Sequence, residues 1–347
     1  MTTHQNYFEI AADTHYELGL RMGELFGSHM RKSLEEEKQY DEWCDNLEHA
    51  RSYVGITAML FPQLIEEVHG YAEGARVCFE EAWALLLEDE LSEFAHDKCT
   101  TIVTNGGSLI AHNEDWEISE AESICVLRKS VGGVSVLELF YVNSLGGNAI
   151  SINSHGFVHA VNSVAHKDHQ FGVPRNFVAR WLSETKNPEN DFWTLSRLPR
   201  SSGYHHSIVS ADKRLWSIEC TATRQTVTHP TTPFVHTNHY VTDLSKYESE
   251  EGIRGTRTRY RCASENVRER MSLQGIQDLL DDTSEGEKKS IFNNRTIAQM
   301  IVDLERMTAY VWLRREDEEG WVAYPIGLAS ASSLGPRGAT PSNTLLK

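Results

Sequence analysis

The first part of the chain repeats apolar residues with helical spacing. Thr14 and Glu17 have the spacing of a capping box, which predicts that a helix begins there. Behind this cap, apolar residues recur every three or four positions, as an amphipathic helix requires: Leu18, Met22, Leu25, Phe26 and Met30. Pro62 and Gly74 bracket a second helix, and residues 79–94 predict a third. Residues 13–96 are therefore predicted to be helical.

From Cys99 onward the apolar period drops to two, the spacing of strands with one buried face. Four pairs of such segments flank short turns, which predicts four hairpins. The turns are Gly106–Gly107, Gly132–Gly133, residues 154–156 and residues 212–214. Helices are predicted at about 174–186, 257–282 and 295–304, and a last pair of strands brackets residues 315–320. The small polar tail from about 330 to 347 is predicted to be flexible.

Many antiparallel strands with helices before and between them predict a layered α+β fold. The helical segment reaches Cys99 through "EFAHDK", which contains no proline or glycine linker. Because domain boundaries usually lie in such linkers, we expect one folded unit rather than two domains.

The composition narrows the class of partner. The 347 residues carry a formal net charge of -17, and such a surface repels phosphate backbones, so we expect no nucleic-acid partner. A neutral or cationic small molecule suits it better. No apolar run reaches about 18 residues, so we expect no membrane span. Six scattered cysteines and a first segment without signal-peptide features predict reduced thiols and a cytoplasmic protein.

The candidate chemistry centres on Cys99, which stands where helix gives way to strand. Cleavage of the chain before Cys99 would free an α-amine with a pKa of about 7.7–8.0 on the residue that carries the thiol. That amine can act as the general base for its own side chain. The chemistry also needs a carboxylate that orients the amine and donors for an oxyanion. Asp115, at the far end of the hairpin, is the candidate carboxylate, and Asn162 and Asn238 are the candidate donors.

Six motifs occur along the chain in an order and spacing that resemble one enzyme family. They are "DKCTT", "NEDW", "INSHGFVHAVNSV", "GVPRNFVARWL", "VHTNHY" and "TRTRYR". The sequence resembles the acyl-coenzyme A:6-aminopenicillanate acyltransferase family of the N-terminal nucleophile hydrolases over about residues 6–330. "THYELGLRMGELFG" is similar to the opening helix of that family.

The resemblance implies a four-layer αββα sandwich made as an inactive precursor that cuts itself between Lys98 and Cys99. Residues 1–98 would then form a helical pro-segment, the α subunit. Residues 99–347 would form the catalytic part, the β subunit, and the two fragments would stay together as partners in one folded unit.

The resemblance also implies roles for single residues. Cys99 would be the nucleophile and new N-terminus, and Asp115 would orient its α-amine. Asn162 and Asn238 would form the oxyanion hole, and Arg259 matches an arginine near the nucleophile. Two hairpin residues would shape the site, Thr101 and Asn113.

Three positions depart from the family pattern. Lys98 stands where the penicillin acyltransferase has glycine, and His112 stands where the related bile-salt hydrolases carry arginine. Glu114 replaces the apolar or aromatic residue between Asn113 and Asp115. Its carboxylate either points outward or meets a positively charged substrate.

Other chemistries fit the sequence less well. Three pairs of histidines lie close together in the sequence: His166 and His169, His205 and His206, His236 and His239. None is in an HExxH frame, and no cysteine pair supports them, so no metal or other cofactor is expected. The hairpin after Cys99 disfavours a papain-like cysteine, which would begin a helix. Arg175 and Arg259 can also be read as structural residues that pair with carboxylates.

We therefore expect a self-cleaving cysteine amidohydrolase that acts on a small N-acyl or aminoacyl amide, with β-alanyl amines among the candidates. Hydrolysis is preferred over acyl transfer because the sequence shows no phosphate- or adenine-binding feature for coenzyme A. Acyl transfer to an amine is the alternative. A second alternative is an uncleaved, non-catalytic binding protein on the same scaffold. The sequence leaves the oligomeric state open.

Overall fold

The structure is a computed structural model that describes residues 3–91, 99–249 and 253–328. The predicted cleavage residue Lys98 and the predicted flexible tail lie outside these ranges.

The N-terminal segment is mainly helical, as predicted. Its helices are α1 (His15–Glu37), α2 (Trp43–Leu60), α3 (Pro62–Ala75), α4 (Phe79–Leu86) and α5 (Glu88–Leu91). The capping box of α1 is confirmed, because the Thr14 hydroxyl accepts from the Glu17 N–H while the Glu17 carboxylate accepts from the Thr14 N–H. Of the predicted apolar stripe only Leu25 is exposed.

One strand of this segment was not predicted. Strand β1 (Tyr7–Ala11) precedes α1 and pairs in parallel with a strand of the first sheet, with Tyr7 opposite Val126. The N-terminal segment therefore supplies a sheet edge as well as helices.

The first sheet has eight strands. Their order across the sheet is β1-β4-β5-β6-β7-β8-β9-β10, and all pairs except β1–β4 are antiparallel. The bounds are β4 (Ile124–Val131), β5 (Val134–Tyr141), β6 (Ile150–Asn153), β7 (Phe157–Ser163), β8 (Tyr204–Ser210), β9 (Leu215–Cys220) and β10 (Gln225–Thr228). Three predicted hairpins, β4–β5, β6–β7 and β8–β9, are confirmed here.

The second sheet has six antiparallel strands in the order β11-β2-β3-β12-β13-β14. The bounds are β2 (Cys99–Thr104), β3 (Leu109–Asp115), β11 (Phe234–His236), β12 (Thr296–Asp303), β13 (Thr308–Leu313) and β14 (Val322–Pro325). The predicted helix at 295–304 is wrong, because this stretch forms β12 between β3 and β13. All eight residues of β12 are buried, and a strand covered on both faces shows no alternation in its sequence.

The remaining helices are α6 (Arg175–Leu182), α7 (Pro188–Leu195), α8 (Ile253–Asn266) and α9 (Leu273–Leu280). The single helix predicted at 257–282 is in fact two, since Ser272 caps a new start by accepting from the Gly275 N–H. Helix α7 was not predicted. None of the described helices is both long enough and apolar enough to pass through a membrane.

Three apolar cores stack the elements in four layers. The first core joins α1–α4, α6 and α7 to one face of the first sheet, and Leu127 of β4 points into this core. The second lies between the sheets and contains Val126 and Val103. The third joins the other face of the second sheet, through Ile102, to α8 and α9. Adjacent strand residues thus point into different cores, and the predicted αββα sandwich is confirmed.

Candidate active site

The β2–β3 hairpin brings the central residues of the site together. Its turn contains Gly106 and Gly107 at φ of 66° and 92°, which favours glycine. Cys99 lies opposite Glu114 in the strand register, and Thr101 lies opposite His112. Because side chains alternate along a strand, these four share one face of the hairpin.

The thiol of Cys99 contacts a carboxylate. Sγ donates to Glu114 Oε2 at 3.4 Å, and His112 Nε2 lies 2.8 Å from the same oxygen. The other oxygen, Oε1, accepts from the Tyr141 hydroxyl at 2.8 Å. Burial raises the pKa of Tyr141 well above its usual value, so this hydroxyl stays a donor. Glu114 is only 3% exposed, so its carboxylate points inward to the thiol and not outward.

The nitrogen of Cys99 is held by a different group. Its N–H donates to Asn238 Oδ1 at 3.0 Å, and Arg259 Nη2 donates to the same oxygen at 2.6 Å. Asn238 Nδ2 donates to the Ser163 carbonyl at 2.9 Å. Two donors on one side and an acceptor on the other determine how this amide is oriented. Asn238 therefore lies at the nucleophile, but on its nitrogen, and its oxyanion role stays a prediction.

Asp115 is deeply buried at the end of β3. Its carboxylate accepts from Thr296 Oγ1 at 2.6 Å and from Asn293 Nδ2 at 2.7 Å. Arg259 Nε lies 3.9 Å from Asp115 Oδ2, and burial raises the pKa of this carboxyl. These contacts connect Asp115 to Cys99 through Arg259 and Asn238.

Asn162 and Thr101 form the next part of the site. The Thr101 hydroxyl donates to Asn162 Oδ1 at 2.9 Å and lies 2.9 Å from His112 Nδ1. Asn162 is fully buried, yet none of the described residues offers its Nδ2 a hydrogen-bond acceptor. A buried amide without an acceptor costs stability, which makes this N–H group a candidate donor to an oxyanion.

Asn113 has a structural position. It lies on the opposite face of the hairpin from the thiol, and its Nδ2 donates to the carbonyls of Leu280 and Ile291, both at 2.9 Å. Alternation along β3 turns Asn113 toward α9 and away from the thiol, so a role in shaping the site stays a prediction.

A cavity of about 170 Å³ opens beside Cys99. Helix α1 contributes part of its wall, so the N-terminal segment borders the site. Four carboxylates line the cavity, and none of the described residues on its wall is Lys, Arg or His. The carboxylates belong to Glu36, Glu37, Glu114 and Glu120. Partial burial raises the pKa of Glu37. This wall favours a neutral or cationic ligand.

Cys99, His112 and Glu114 have ligand atoms within 4.8 Å of one another. Tetrahedral zinc at its usual bond lengths places its nitrogen and oxygen ligands roughly 3.4 Å apart. The His112–Glu114 separation of 2.8 Å is instead that of a hydrogen bond. The three side chains therefore form a hydrogen-bonded group.

Sequence reasoning missed the inward direction of Glu114 and its contacts with His112 and Tyr141. The hairpin register contained this signal, since a count back from the glycine turn pairs residue 99 with residue 114. The contribution of Tyr141 had no local signal, because it comes from the other sheet.

The family comparison adds to this geometry. The family model described as acyl-coenzyme A:6-aminopenicillanic acid acyl-transferase matches residues 103–318, which is more than half of the chain. This chain belongs to that family. The matched range of the acyl-transferase family contains Asp115, Asn162, Asn238 and Arg259 and begins just after Cys99. The predicted resemblance is confirmed.

The chain is also similar to a beta-alanyl-dopamine/carcinine hydrolase from Drosophila melanogaster, with 29% identity over 212 residues. The match covers 52% of this chain and only 55% of that relative. The chain thus spans about half the length of the relative.

Two solved structures show a more distant likeness. A mutant conjugated bile acid hydrolase from Clostridium perfringens is 14% identical, with 65% of this chain and 92% of that chain covered and a TM-score of 0.42. A penicillin V acylase from Agrobacterium tumefaciens is 13% identical, with 62% and 83% covered and a TM-score of 0.41.

Proposed function

We propose that the protein is a self-cleaving cysteine amidohydrolase that acts on small amides carrying a positively charged amine. The observation that carries the proposal is the Cys99 thiol beside a cavity whose described wall has four carboxylates and no basic side chain. Membership in an acyl-transferring family supports the reaction class.

Chemistry would begin once the chain is cut between Lys98 and Cys99. The freed α-amine takes the proton of the Cys99 thiol, and Asn238 and Arg259 position the nitrogen. Sulfur attacks the substrate carbonyl, and the Nδ2 of Asn162 stabilises the resulting oxyanion. The amine product leaves with the proton from the α-amine. Water then hydrolyses the thioester to release the acid and regenerate the thiol.

The acidic cavity supports an aminoacyl or β-alanyl amide as substrate. The ammonium group of such a substrate would enter a cavity whose wall carries the carboxylates of Glu37 and Glu120. The named activity of the fly relative, on beta-alanyl-dopamine and carcinine, belongs to the same substrate class.

Purified protein tests both parts of this proposal. Two fragments, one with Cys99 at its N-terminus by mass spectrometry, are expected on a denaturing gel, and Cys99→Ala should give one intact band. A panel of β-alanyl, α-aminoacyl and neutral N-acyl amides should show hydrolysis of the amine-bearing members. An intact wild-type chain without hydrolysis of any panel member would contradict the proposal and favour a binding protein.

A matched pair of variants on α1 tests the role of charge. Glu37 lines the cavity, while Glu35 is exposed and does not. We expect Glu37→Gln to raise the KM for a β-alanyl amide about fivefold, the effect of roughly 1 kcal/mol. It should leave neutral N-acyl amides unchanged. Glu35→Gln should change neither, and an equal KM increase for both substrates with Glu37→Gln would refute charge recognition.

A further inference from the structure

We propose that Glu114 accepts the proton of the Cys99 thiol during self-cleavage, before any α-amine exists. The inference rests on the proposed function, of which self-cleavage is a part. It assigns a catalytic role to a residue that departs from the family pattern.

The nitrogen of Cys99 cannot be the base for the first cut. In the uncut chain this atom belongs to a peptide bond, and it donates its hydrogen to Asn238 Oδ1. A peptide nitrogen has its lone pair delocalised into the carbonyl and cannot serve as a base. The first cut therefore needs a base that the mature enzyme does not need.

Glu114 has the geometry for this task. The thiol donates to its Oε2 at 3.4 Å, within the range of a sulfur hydrogen bond, so the proton already points at the acceptor. Both residues are 3% exposed, and little solvent competes for the proton. The cross-strand pairing of Cys99 with Glu114 sets this contact through the backbone.

Two side chains hold the carboxylate in place. The Tyr141 hydroxyl donates to Oε1 at 2.8 Å, and His112 Nε2 lies 2.8 Å from Oε2. His112 is itself held by Thr101, whose Oγ1 lies 2.9 Å from Nδ1. Tyr141 and His112 are positioning residues here, since they act on the reaction through Glu114.

Self-cleavage needs only water besides the groups of the protein. The thiol proton passes to the Glu114 carboxylate, sulfur forms a bond to the carbonyl carbon of residue 98, and the bond from that carbon to the Cys99 nitrogen breaks. The departing nitrogen takes the proton back from Glu114. Water then hydrolyses the thioester, which leaves a carboxylate on Lys98 and returns the thiol to Cys99.

Cleavage of newly synthesised full-length chain tests the proposal without any substrate. A pulse of cell-free translation is sampled over time on a denaturing gel, and loss of the intact band gives the rate. General-base catalysis contributes about 100-fold or more. We therefore expect Glu114→Gln to slow cleavage about 100-fold and Glu114→Asp to slow it less, since the shorter side chain keeps the carboxylate.

The matched control is Glu219→Gln. Glu219 is equally buried and pairs with His236 Nε2 at 3.1 Å, so its loss removes another buried carboxylate–histidine pair. This variant should cleave at the wild-type rate. Circular dichroism and thermal melting of each variant show whether it folds. If Glu114→Gln fails to fold, Tyr141→Phe replaces it, because it removes one donor to the carboxylate and should slow cleavage several-fold.

The outcomes separate this inference from the proposed function. Normal cleavage by folded Glu114→Gln, or by Tyr141→Phe where that variant replaces it, would overturn the role of Glu114 and leave the hydrolase proposal intact. Equal slowing by Glu219→Gln would also overturn it, since the effect would then be structural. A wild-type chain that never cuts would overturn both the self-cleavage and this role.

Discussion

At the scale of single residues, the two asparagines of the site differ in what their amides contact. Asn238 has both ends engaged, by Cys99 and Arg259 at the oxygen and by Ser163 at the nitrogen. Asn162 has a buried Nδ2 without an acceptor in the part of the chain that the structure describes. We therefore propose different tasks for the two amides, with Asn238 placing the nucleophile and Asn162 receiving the oxyanion.

The first prediction concerns Asn162. Loss of one oxyanion donor typically lowers kcat by about 100- to 1,000-fold, so we expect this loss in Asn162→Ala with little change in KM. The measurement is steady-state hydrolysis of the best amide substrate. Asn153→Ala is the control, because Asn153 is equally buried but donates to the carbonyls of Ser183 and Thr185. If the kcat of Asn162→Ala stays within about fivefold of wild type, Asn162 does not form the oxyanion hole.

The second prediction concerns Asp115. Asp115→Asn keeps the shape of the side chain and can still accept from Thr296, so the fold should persist. It removes the negative charge opposite Arg259, and we expect self-cleavage or turnover to fall by about 100-fold or more. Asp303→Asn, at the far end of β12, is the matched control because Asp303 pairs with Arg306. Near-normal rates in Asp115→Asn would exclude an orienting role.

At the scale of elements, α1 and α3 pack with their backbones in close approach. Gly19 and Gly23 on α1 face Gly70 and Gly74 on α3, each four residues apart. A Cβ built on Gly70 would lie 2.0 Å from the Tyr16 carbonyl oxygen. These glycines are tolerated inside helices because a side chain there would separate the pair.

The third prediction follows from this packing. Gly70→Ala should lower the free energy of unfolding by about 2 kcal/mol, the usual cost of overpacking. Apart from its own helix, no described residue lies within 4 Å of the Cβ position of Gly55 on α2, so Gly55→Ala should raise that free energy by about 1 kcal/mol through helix propensity. Urea unfolding measures both. Equal effects at the two positions would contradict the close approach.

At the scale of the whole molecule, several histidines are buried and uncharged. Burial lowers the pKa of His159 to about 3 and the pKa of His205 and His206 well below the ordinary value. His159 Nε2 lies 3.0 Å from His206 Nδ1. The unfolded chain would protonate these side chains near pH 6.5, while the folded chain resists protonation.

The fourth prediction is a loss of stability in acid. Below pH 6.5 the unfolded state binds more protons than the folded state, so the free energy of unfolding should fall as pH falls. Each such histidine contributes a slope of up to about 1.4 kcal/mol per pH unit. Urea unfolding between pH 7.5 and 5 measures the slope, and His159→Gln should reduce it. A constant free energy over this range would contradict the assignment.

Much of the fold followed from local pattern. The capping box at Thr14 and the glycine turn at Gly106–Gly107 each involve neighbours in sequence, and both were predicted correctly. Strand β12 was not, because its eight buried residues carry no period, and only pairing with β3 and β13 makes them a strand. The edge strand β1 was missed because its pairing partner lies more than a hundred residues away.

The candidate site also has a part that local sequence predicts and a part that depends on long-range contacts. By itself, the sequence determined the family, the position of Cys99 and the hairpin that carries Glu114 and Asp115, because these depend on residue identity and short-range spacing. Only the tertiary structure decided which distant groups contact these side chains. The amide of Asn238 turns its oxygen to Cys99 because Arg259 and Ser163 converge there, and the carboxylate of Glu114 accepts a hydrogen bond from Tyr141 of the other sheet. Such contacts join segments far apart in the chain, and hydrogen-bond geometry between them has no counterpart in local sequence.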